Sequence, residues 1–373
     1  MTSTTKVPYV NLSAQHEPIK AELLDSISRV LDHGRFILGK EVEEFERRFA
    51  EICEVDYAIG VNSGTDALVL ALKALGIGQG DEVITPANSF LASTSCIALV
   101  GANPVLVDSQ DDYNIDPLRI EQAITPRTRA IIPVHLTGRP AEMQKIMDIA
   151  ERHGLHVIED CAQAVGASYK GQVVGSFGTA GCFSLHPLKT LNAIGDGGVL
   201  VTNDEALSKQ FKLMRNHGLS NRDDCIAWGF NSRLDTLQAA VLLVKLNYLD
   251  EWTERRRSNA QFYQRNLAGV NQVQIPMDEP YERAVYHTFV IQAPRRDELQ
   301  RYLAAKGIGT AIAYPTPIHL QRAAIGLGYG AGSFPVTEGQ AQRILSLPVY
   351  GELKQHQLEY VVECVQNFYK EAS

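Results

Sequence analysis

Residues 57–86, YAIGVNSGTDALVLALKALGIGQGDEVITP, contain the pattern that decides the fold. A short apolar run, YAIGV, precedes a stretch with apolar residues at helical spacing, and a second apolar run, DEVITP, follows it. Strands that are apolar on both faces and separated by a helix are typical of a parallel sheet covered on both sides. This stretch therefore predicts one β-α-β unit.

The same alternation continues to about Asp204, through the strand-like runs NPVLVD, AIIPVHL, HVIED and GVLVTND. We therefore expect an α/β core over about residues 50–245, ending in LDTLQAAVLLVKLNYLDEW, which reads as one buried helix. Beyond it, the strand-like YHTFVIQA and two helical patterns predict a smaller α+β domain. We place the N-terminal segment and large domain at residues 1–249 and the small domain at 250–373.

The composition excludes several classes of function. A net charge of -8 and the lack of any Lys/Arg-rich run argue against a nucleic-acid partner. No apolar signal segment or long apolar stretch is present, so we expect a cytoplasmic protein without a membrane partner. The six cysteines are scattered without a C-x-x-C pair, which favours reduced thiols, and we expect no bound metal.

Open α/β sheets bind ligands at the carboxyl ends of their strands, so the residues just after each strand carry the most information. Ser63, Gly64 and Thr65 follow YAIGV at the start of a predicted helix. Their side chains either cap that helix, or its first N–H groups are free to bind a phosphate. Phe90 follows DEVITP and either packs in the core or faces a flat ligand. Asp160 ends HVIED, where a buried carboxylate needs a cationic or hydrogen-bonding partner.

A lysine, Lys189, lies in the loop between the strand-like CFSL and the glycine-rich NAIGDGG. Together with Ser184, Asp160, Phe90 and the helix start, it supplies what pyridoxal phosphate requires. Its amine can form a Schiff base, the carboxylate can keep the pyridine nitrogen protonated, and the helix start can hold the phosphate. Gly195, Gly197 and Gly198 fit a close approach of the backbone to the cofactor, and they fit a tight hairpin equally well.

Successive segments of the chain also resemble the signatures of one enzyme family. GRFILGKEVEEFERRFA, SGTDALVLALKALGIGQGDEVITP, IEDCAQAVGA, FSLHPLKTLNAIGDGG and GFNSRLDTLQAAVL are similar to motifs of the DegT/DnrJ/EryC1/StrS sugar aminotransferases. The resemblance runs from about Val7 to Pro348. It implies the α/β fold of fold type I pyridoxal phosphate-dependent transferases, with a mostly parallel, mixed sheet flanked by helices.

The resemblance also assigns roles to individual residues. It implies Lys189 as the catalytic Schiff-base lysine, Asp160 opposite the pyridine nitrogen and Gln163 near the phenolic oxygen. It further implies that Phe90 would stack on the ring and that Gly64, Thr65 and Ser184 would hold the phosphate. Ser63, at the same helix start, is a further candidate for cofactor binding. Asn231 would reach the neighbouring subunit's cofactor in a homodimer with active sites at the interface. Its local alternative is a capping box formed by Ser232 and Asp235.

The reaction implied by the resemblance transfers an amino group, usually from L-glutamate, to a keto carbon of a dTDP-, UDP- or GDP-linked deoxysugar. Pyridoxal 5'-phosphate would become pyridoxamine 5'-phosphate during turnover, and Lys189 would move the proton. Candidates for the substrate side, each with a structural role as the alternative, are His186, Arg215, His217, Tyr314 and His319. Arg35, Arg233 and Lys245 are candidate cations for the diphosphate.

Three other functions remain open from the sequence. A dehydratase of the same family would use the same cofactor but carry histidine in place of the Schiff-base lysine, and Lys189 argues against it. An aminotransferase for a keto-cyclitol would keep all the cofactor residues. A non-enzymatic regulator would keep the fold without the chemistry.

Overall fold

The computed structural model describes residues 6–370 of the chain. Its strands are β1 Tyr57–Val61, β2 Glu82–Pro86, β3 Asn103–Val107, β4 Thr128–Ile131, β5 His156–Asp160, β6 Ser168–Tyr169, β7 Gln172–Val173, β8 Ala180–Ser184, β9 Gly198–Thr202, β10 Glu282–Arg283, β11 Phe289–Gln292 and β12 Ile344–Leu347. Its α-helices are α1 Leu12–His16, α2 Lys20–His33, α3 Lys40–Cys53, α4 Gly64–Ala74, α5 Ala92–Leu99, α6 Pro117–Ala123, α7 Met143–His153, α8 Glu205–Met214, α9 Thr236–Leu246, α10 Leu249–Leu267, α11 Arg296–Ala305, α12 Pro335–Arg343 and α13 Gln355–Lys370.

A seven-stranded sheet in the order β1-β9-β8-β5-β4-β2-β3 forms the centre of the molecule. The pairs β2-β3, β2-β4, β4-β5 and β5-β8 are parallel, whereas β9 runs antiparallel to both β8 and β1. The sheet is therefore mixed and mostly parallel, as the sequence pattern predicts. Six of its strands point the same way, which brings the ends of β1, β5 and β8 to one edge.

Helices cover both faces of this sheet, because its strands are apolar on both sides. On one face α4 packs through Leu68 and Leu72 against a cluster that includes Ile59 and Leu200. On the other face α3 and α9 contribute to a cluster around Phe183. The β-α-β unit predicted over residues 57–86 is confirmed as β1, α4 and β2.

A separate apolar cluster lies in the C-terminal third of the chain, where β11 and β12 form an antiparallel pair. Tyr263, Phe289 and Val365 belong to this cluster, and so does Val7 from the N-terminal segment. Val7 also pairs with Ile308, so the N-terminal segment reaches across to the C-terminal part. The domain division at 249/250 falls at the first residue of α10 and remains a prediction.

The structure corrects two local predictions. The stretch from Leu234 to Trp252 is two helices rather than one, because α9 ends at Leu246 and α10 begins at Leu249. Lys245 lies in the last turn of α9, and acidic residues lie in the first turn of α10. A cation at a helix C-terminus and anions at a helix N-terminus are both favoured by the helix dipole. The capping box also does not form: Asp235 is the N-cap of α9, but its side chain makes no capping hydrogen bond.

Within residues 6–370, the structure contains no helix that is both long enough and apolar enough to cross a membrane.

Candidate active site

The loop that carries Lys189 lies beyond the end of β8. The amide of Lys189 donates to the carbonyl of His186 at 2.8 Å, and that of Ala193 donates to the carbonyl of Leu185 at 2.8 Å, which folds the loop back on itself. Burial lowers the pKa of the Lys189 amine, and the negative charge of Asp160 opposes this shift. The amine is therefore easier to deprotonate than a solvent-exposed lysine.

The carboxylate of Asp160 lies at the end of β5, beside β8, and is 5% exposed. Burial raises its pKa, while a hydrogen bond from the Ala162 amide and the positive charge of Lys189 oppose the rise. The Ala162 amide donates to Oδ1 at 3.1 Å. No group in residues 6–370 donates to Oδ2, so one oxygen of a buried carboxylate stays available for a ligand.

Glu159 points to the opposite side of β5 from Asp160 and forms part of a buried polar cluster. Its carboxylate accepts hydrogen bonds from the amides of Gly175, Phe177 and Gly178 at 2.7–2.8 Å, and it faces Nε2 of His135 at 3.1 Å. The Ala141 amide donates to Nδ1 of His135 at 3.0 Å, which assigns the imidazole hydrogen to Nε2.

Cys161 lies close enough to His135 and Glu159 for the three to suggest a metal site. Both imidazole nitrogens and both carboxylate oxygens are already used in hydrogen bonds, however. Burial also raises the pKa of the Cys161 thiol well above its ordinary value, which disfavours the thiolate that binds metals. The cluster therefore fits a structural role that fixes the loop after β7.

The N-terminus of α4 meets the end of β8 at very close range. Ser63 caps the helix by accepting a hydrogen bond from the Asp66 amide at 3.1 Å. The amides of Gly64 and Thr65 have no hydrogen-bond acceptor in residues 6–370. A Cβ at Gly64 would lie 2.7 Å from Cβ of Ser184, so glycine is needed for this contact.

Gly198 at the start of β9 packs against the same turn, because a Cβ there would lie 2.3 Å from the carbonyl oxygen of Ser63. Ser63 therefore caps the helix, which is one of the two alternatives drawn from the sequence. Two free N–H groups remain beside the Ser184 hydroxyl, and phosphate binding there stays a prediction. Such a group of donors can hold a phosphate. The close approach at Gly198 is thus to the turn before α4, and a close approach of the glycines to the cofactor stays a prediction.

Phe90, Gln163 and Tyr314 surround the open side of the site. The ring of Phe90 is 54% exposed and lies 5.8 Å from the ring of Tyr314 between centroids. Gln163 accepts a hydrogen bond from the Thr137 amide at 2.8 Å and donates to the Tyr314 hydroxyl at 3.3 Å. Burial and the charge of Asp160 raise the pKa of Tyr314, so its hydroxyl stays protonated.

A buried lysine supports the loop that carries Lys189. Nζ of Lys245 donates to the carbonyl oxygen of Asn192 at 2.9 Å and to its side-chain oxygen at 2.5 Å, and it lies 3.0 Å from Nε2 of His16. Asn192 in turn donates to the carbonyl of Lys189 at 2.9 Å and to Gln15 at 3.1 Å. Lys245 is fully buried and its three N–H groups are used, so it is not available to a diphosphate.

Two of the candidate substrate residues are also engaged in structural contacts. The guanidinium of Arg215 is buried, pairs with Glu46 and donates to the carbonyl of Gly60 at 2.8 Å. His319 is buried, with Nε2 2.9 Å from Glu338 and its ring against Phe334. Both side chains hold parts of the fold together, and we withdraw them as substrate contacts.

The remaining sequence candidates lie on or near the surface. Four of them are exposed: Arg35, His186, His217 and Asn231. Nδ1 of His186 accepts from the Leu188 amide at 3.3 Å, which places this histidine in the lysine loop. Arg233 is half-buried and donates to Asn216 at 3.2 Å. The structure thus brings Lys189, Asp160, Gln163, Tyr314 and Phe90 together, with Ser184 beside the α4 start.

Comparison with known proteins agrees with this arrangement. The family described as "DegT/DnrJ/EryC1/StrS aminotransferase family" matches residues 17–366. A "dTDP-3-amino-3,4,6-trideoxy-alpha-D-glucose transaminase" of Streptomyces venezuelae is 45% identical over 98% of this chain and 97% of its own. A "Pleiotropic regulatory protein" of Geobacillus stearothermophilus is 46% identical over 98% of this chain and 99% of its own.

A solved structure of S. venezuelae DesV "in complex with ketimine intermediate" superposes with a TM-score of 0.96. It is 45% identical in sequence, and the match covers 98% of this chain and 99% of DesV. The mixed seven-stranded sheet is therefore that of the fold type I aminotransferases. With the family match spanning nearly the whole chain, this protein belongs to the DegT/DnrJ/EryC1/StrS aminotransferase family.

Proposed function

We propose that this protein is a pyridoxal 5'-phosphate-dependent transaminase that moves an amino group from L-glutamate to a keto carbon of a nucleotide-linked deoxysugar. The observation that carries the proposal is the placement of Asp160 at the end of β5 and of the Lys189 loop just beyond the end of the neighbouring strand β8, beside the free N–H groups of α4. An amine, a buried carboxylate and a phosphate-binding turn are the groups that this cofactor needs.

The residues of the site fit the cofactor at both of its ends. Oδ2 of Asp160 has no donor within residues 6–370, which suits a protonated pyridine nitrogen. The amides of Gly64 and Thr65 and the hydroxyl of Ser184 suit the phosphate. The cofactor would supply an aldehyde for the Lys189 amine and a ring that withdraws electrons from the reacting carbon.

Lys189 acts as the proton carrier in this proposal. Because burial lowers the pKa of its amine, a larger neutral fraction is present at physiological pH than for an exposed lysine. A neutral amine could take a proton from the donor's α-carbon and return it to the carbon on the other side of the donor nitrogen, two atoms away. Asp160 stabilises the positive charge that forms beside it, and Gln163 orients the Tyr314 hydroxyl at the edge of the site.

The open side of the site is suited to the sugar. Tyr314 presents a protonated hydroxyl there, beside the exposed ring of Phe90 that we assign to the cofactor. His186 and His217 are exposed and remain proposed contacts for the sugar or its nucleotide. Which nucleotide and which ring position are used is left to the substrate panel below.

We further propose that the active form is a homodimer in which Asn231 reaches the partner's phosphate site. Asn231 is exposed, and its side chain has no hydrogen-bond partner in the part of the chain from Lys6 to Lys370. Its backbone is fixed, however, by a bridge to Asn216, so an exposed polar side chain is held in a defined position. Such a position is suited to a contact with a second chain.

Three alternative functions are compared with this site. A dehydratase of this family would require histidine at the position of Lys189. A purely regulatory role, as the name of the G. stearothermophilus relative suggests for that protein, would not require Lys189, Asp160 and the α4 turn to converge. A keto-cyclitol acceptor would use the same cofactor residues, and it is separated from a nucleotide sugar by assay.

The experiment that tests the proposal is the visible absorption spectrum of the purified protein with pyridoxal phosphate, before and after L-glutamate. We expect a band from the lysine-bound cofactor that glutamate bleaches as pyridoxamine 5'-phosphate forms. A panel of dTDP-, UDP- and GDP-linked keto-sugars and one keto-cyclitol should then restore the band with its true acceptor. A protein that shows no band at all would contradict the proposal and favour the regulator.

A further inference from the structure

A small cavity adjoins Lys189 on the side that faces the C-terminal part of the chain. Its volume is about 180 Å³, and its lining includes Tyr9, Leu188, Arg256, His287 and Tyr314. The positive charge of Lys189 contributes to lowering the pKa of His287, which places the cavity within electrostatic reach of the reacting amine. The sequence does not reveal this cavity, because its lining comes from segments far apart in the chain.

Arg256 in this cavity is a cation without an anionic partner. Within residues 6–370 no carboxylate oxygen lies within 4.0 Å of its guanidinium nitrogens, and Glu352 and Tyr9 act on it only at longer range. Its Nη1 makes two long hydrogen bonds of 3.4 Å, to the carbonyls of Tyr286 and His287. The residue is half-buried, and most of the five N–H groups of its guanidinium have no hydrogen-bond partner in the described residues, so this position is suited to an anion.

A second unused polar group lies beside it. Nδ1 of His287 is buried and has no hydrogen-bond partner in the described part of the chain. Burial, together with the positive charges of Lys189, Arg256 and His186, lowers the pKa of His287 well below its ordinary value. The imidazole is therefore neutral at physiological pH, and a neutral imidazole can donate one N–H to an anion.

We infer that Arg256 binds a carboxylate of the amino-acid donor, with His287 as a neighbouring hydrogen-bond donor. This inference rests on the proposed function, since it assigns one substrate of that reaction to a place. The cavity is smaller than the roughly 300–1,000 Å³ of pockets that hold drug-sized ligands, so it suits an amino acid rather than a nucleotide sugar. A guanidinium pairs with a carboxylate through two parallel hydrogen bonds, which fixes the donor's orientation toward Lys189.

The first test compares Arg256→Gln with Arg255→Gln, loaded with pyridoxal phosphate. Arg255 is the adjacent residue on α10, but it is exposed and pairs with Glu251, so it is a matched control. We expect Arg256→Gln to raise the L-glutamate concentration needed for half-maximal bleaching by roughly 10- to 100-fold, the loss of a charge-assisted hydrogen bond. In the reverse reaction, the concentration of amino-sugar product needed for half-maximal reaction should change less than about threefold in both variants. An unchanged glutamate response in folded Arg256→Gln would overturn the inference.

The second test needs no variant. The wild-type protein is given L-glutamate, L-glutamine and L-isoglutamine, so that each carboxylate in turn is replaced by a neutral amide. We expect one of the two amides to react at least about tenfold less efficiently than glutamate, which also identifies the carboxylate that Arg256 binds. Equal reactivity of all three compounds would overturn the inference, whether or not the Arg256 variant folds.

A binding measurement separates failure of this inference from failure of the proposed function. Glutarate has two carboxylates and no amine, so its affinity can be measured by calorimetry without any turnover. We expect wild type and Arg255→Gln to bind glutarate roughly 10- to 100-fold more tightly than Arg256→Gln. If wild type binds glutarate in this Arg256-dependent way but does not react with L-glutamate, the proposed function fails and the carboxylate site stands. If Arg256→Gln binds glutarate as wild type does, the carboxylate site fails.

Discussion

Replacing Arg215 by Met should destabilise the protein rather than impair substrate binding. The guanidinium and the Glu46 carboxylate are 8% and 9% exposed, so water screens their attraction only weakly. The same guanidinium donates to the carbonyl of Gly60 at 2.8 Å, while Glu46 accepts from the Gly60 amide at 2.8 Å. The pair therefore holds both backbone groups of one residue in β1, four positions before α4 begins.

The magnitude follows from leaving Glu46 buried without its cation. Breaking a buried ion pair by removing one partner costs about 3–5 kcal/mol, most of which is the penalty of an unpaired buried charge. The double variant Glu46→Gln with Arg215→Met removes that charge and should recover about 2 kcal/mol. Arg215→Met should therefore lower the free energy of unfolding strongly and change substrate binding little.

Urea unfolding of the cofactor-loaded wild type, the single variant and the double variant measures the stability change. The keto-sugar concentration at half-maximal rate is measured on the folded protein, and we expect it to change less than about twofold in Arg215→Met, because its contacts are internal. A stability loss below about 1 kcal/mol, together with a tenfold increase in that concentration, would show that Arg215 contacts substrate and that this reasoning is wrong.

Three further predictions concern the cofactor site and the lysine behind it. Lys189→Ala should abolish turnover and the band of lysine-bound cofactor while the circular dichroism spectrum stays unchanged; appreciable turnover would contradict the role of Lys189. Gly64→Ala should weaken pyridoxal phosphate binding at least about tenfold in an absorbance titration, because its Cβ would lie 2.7 Å from Cβ of Ser184. Gly330→Ala, where a Cβ meets no atom within 4 Å, is the control, and equal affinities would count against the phosphate site. Burial lowers the pKa of Lys245 from 10.5 to about 8, so the unfolded chain binds more protons in that interval and stability should rise between pH 8 and 10.5. Urea midpoints should show this rise, of at most about 1.4 kcal/mol per pH unit from this one group, and the rise should be smaller in Lys245→Met, where other groups such as Lys189 still contribute.

The sequence predicts those features of the site that depend on strand order and on local chemistry. Apolar runs separated by helical patterns predict the sheet, and the carboxyl ends of its strands then bring Asp160 and the Lys189 loop to one edge. The Ser63 cap is a local interaction between residues three positions apart, so the sequence predicts it as well. These features need no knowledge of distant contacts.

The features that the sequence does not reveal depend on contacts between distant segments. Arg215 and Glu46 are 169 residues apart, and nothing in either motif indicates that they pair. Arg256 lies within a run of three arginines on α10, where only the tertiary structure distinguishes the residue facing the cavity from its exposed neighbour Arg255. The apolar pattern does not reveal the break between α9 and α10, because apolar residues continue on both sides of it. The charged residues at the two helix ends are the sequence feature that indicates it.

The network around Lys245 has a consequence for engineering. It connects α1, through Gln15 and His16, to Asn192 in the loop that carries Lys189 and to Lys245 in α9. These two partners lie about 180 and 230 positions after α1 in the chain. A chimera whose first 20 residues come from a relative with different residues in place of Gln15 and His16 would therefore change the hydrogen bonds behind Lys189 without altering Asn192 or Lys245. Recombination between members of the family should transfer these three segments together.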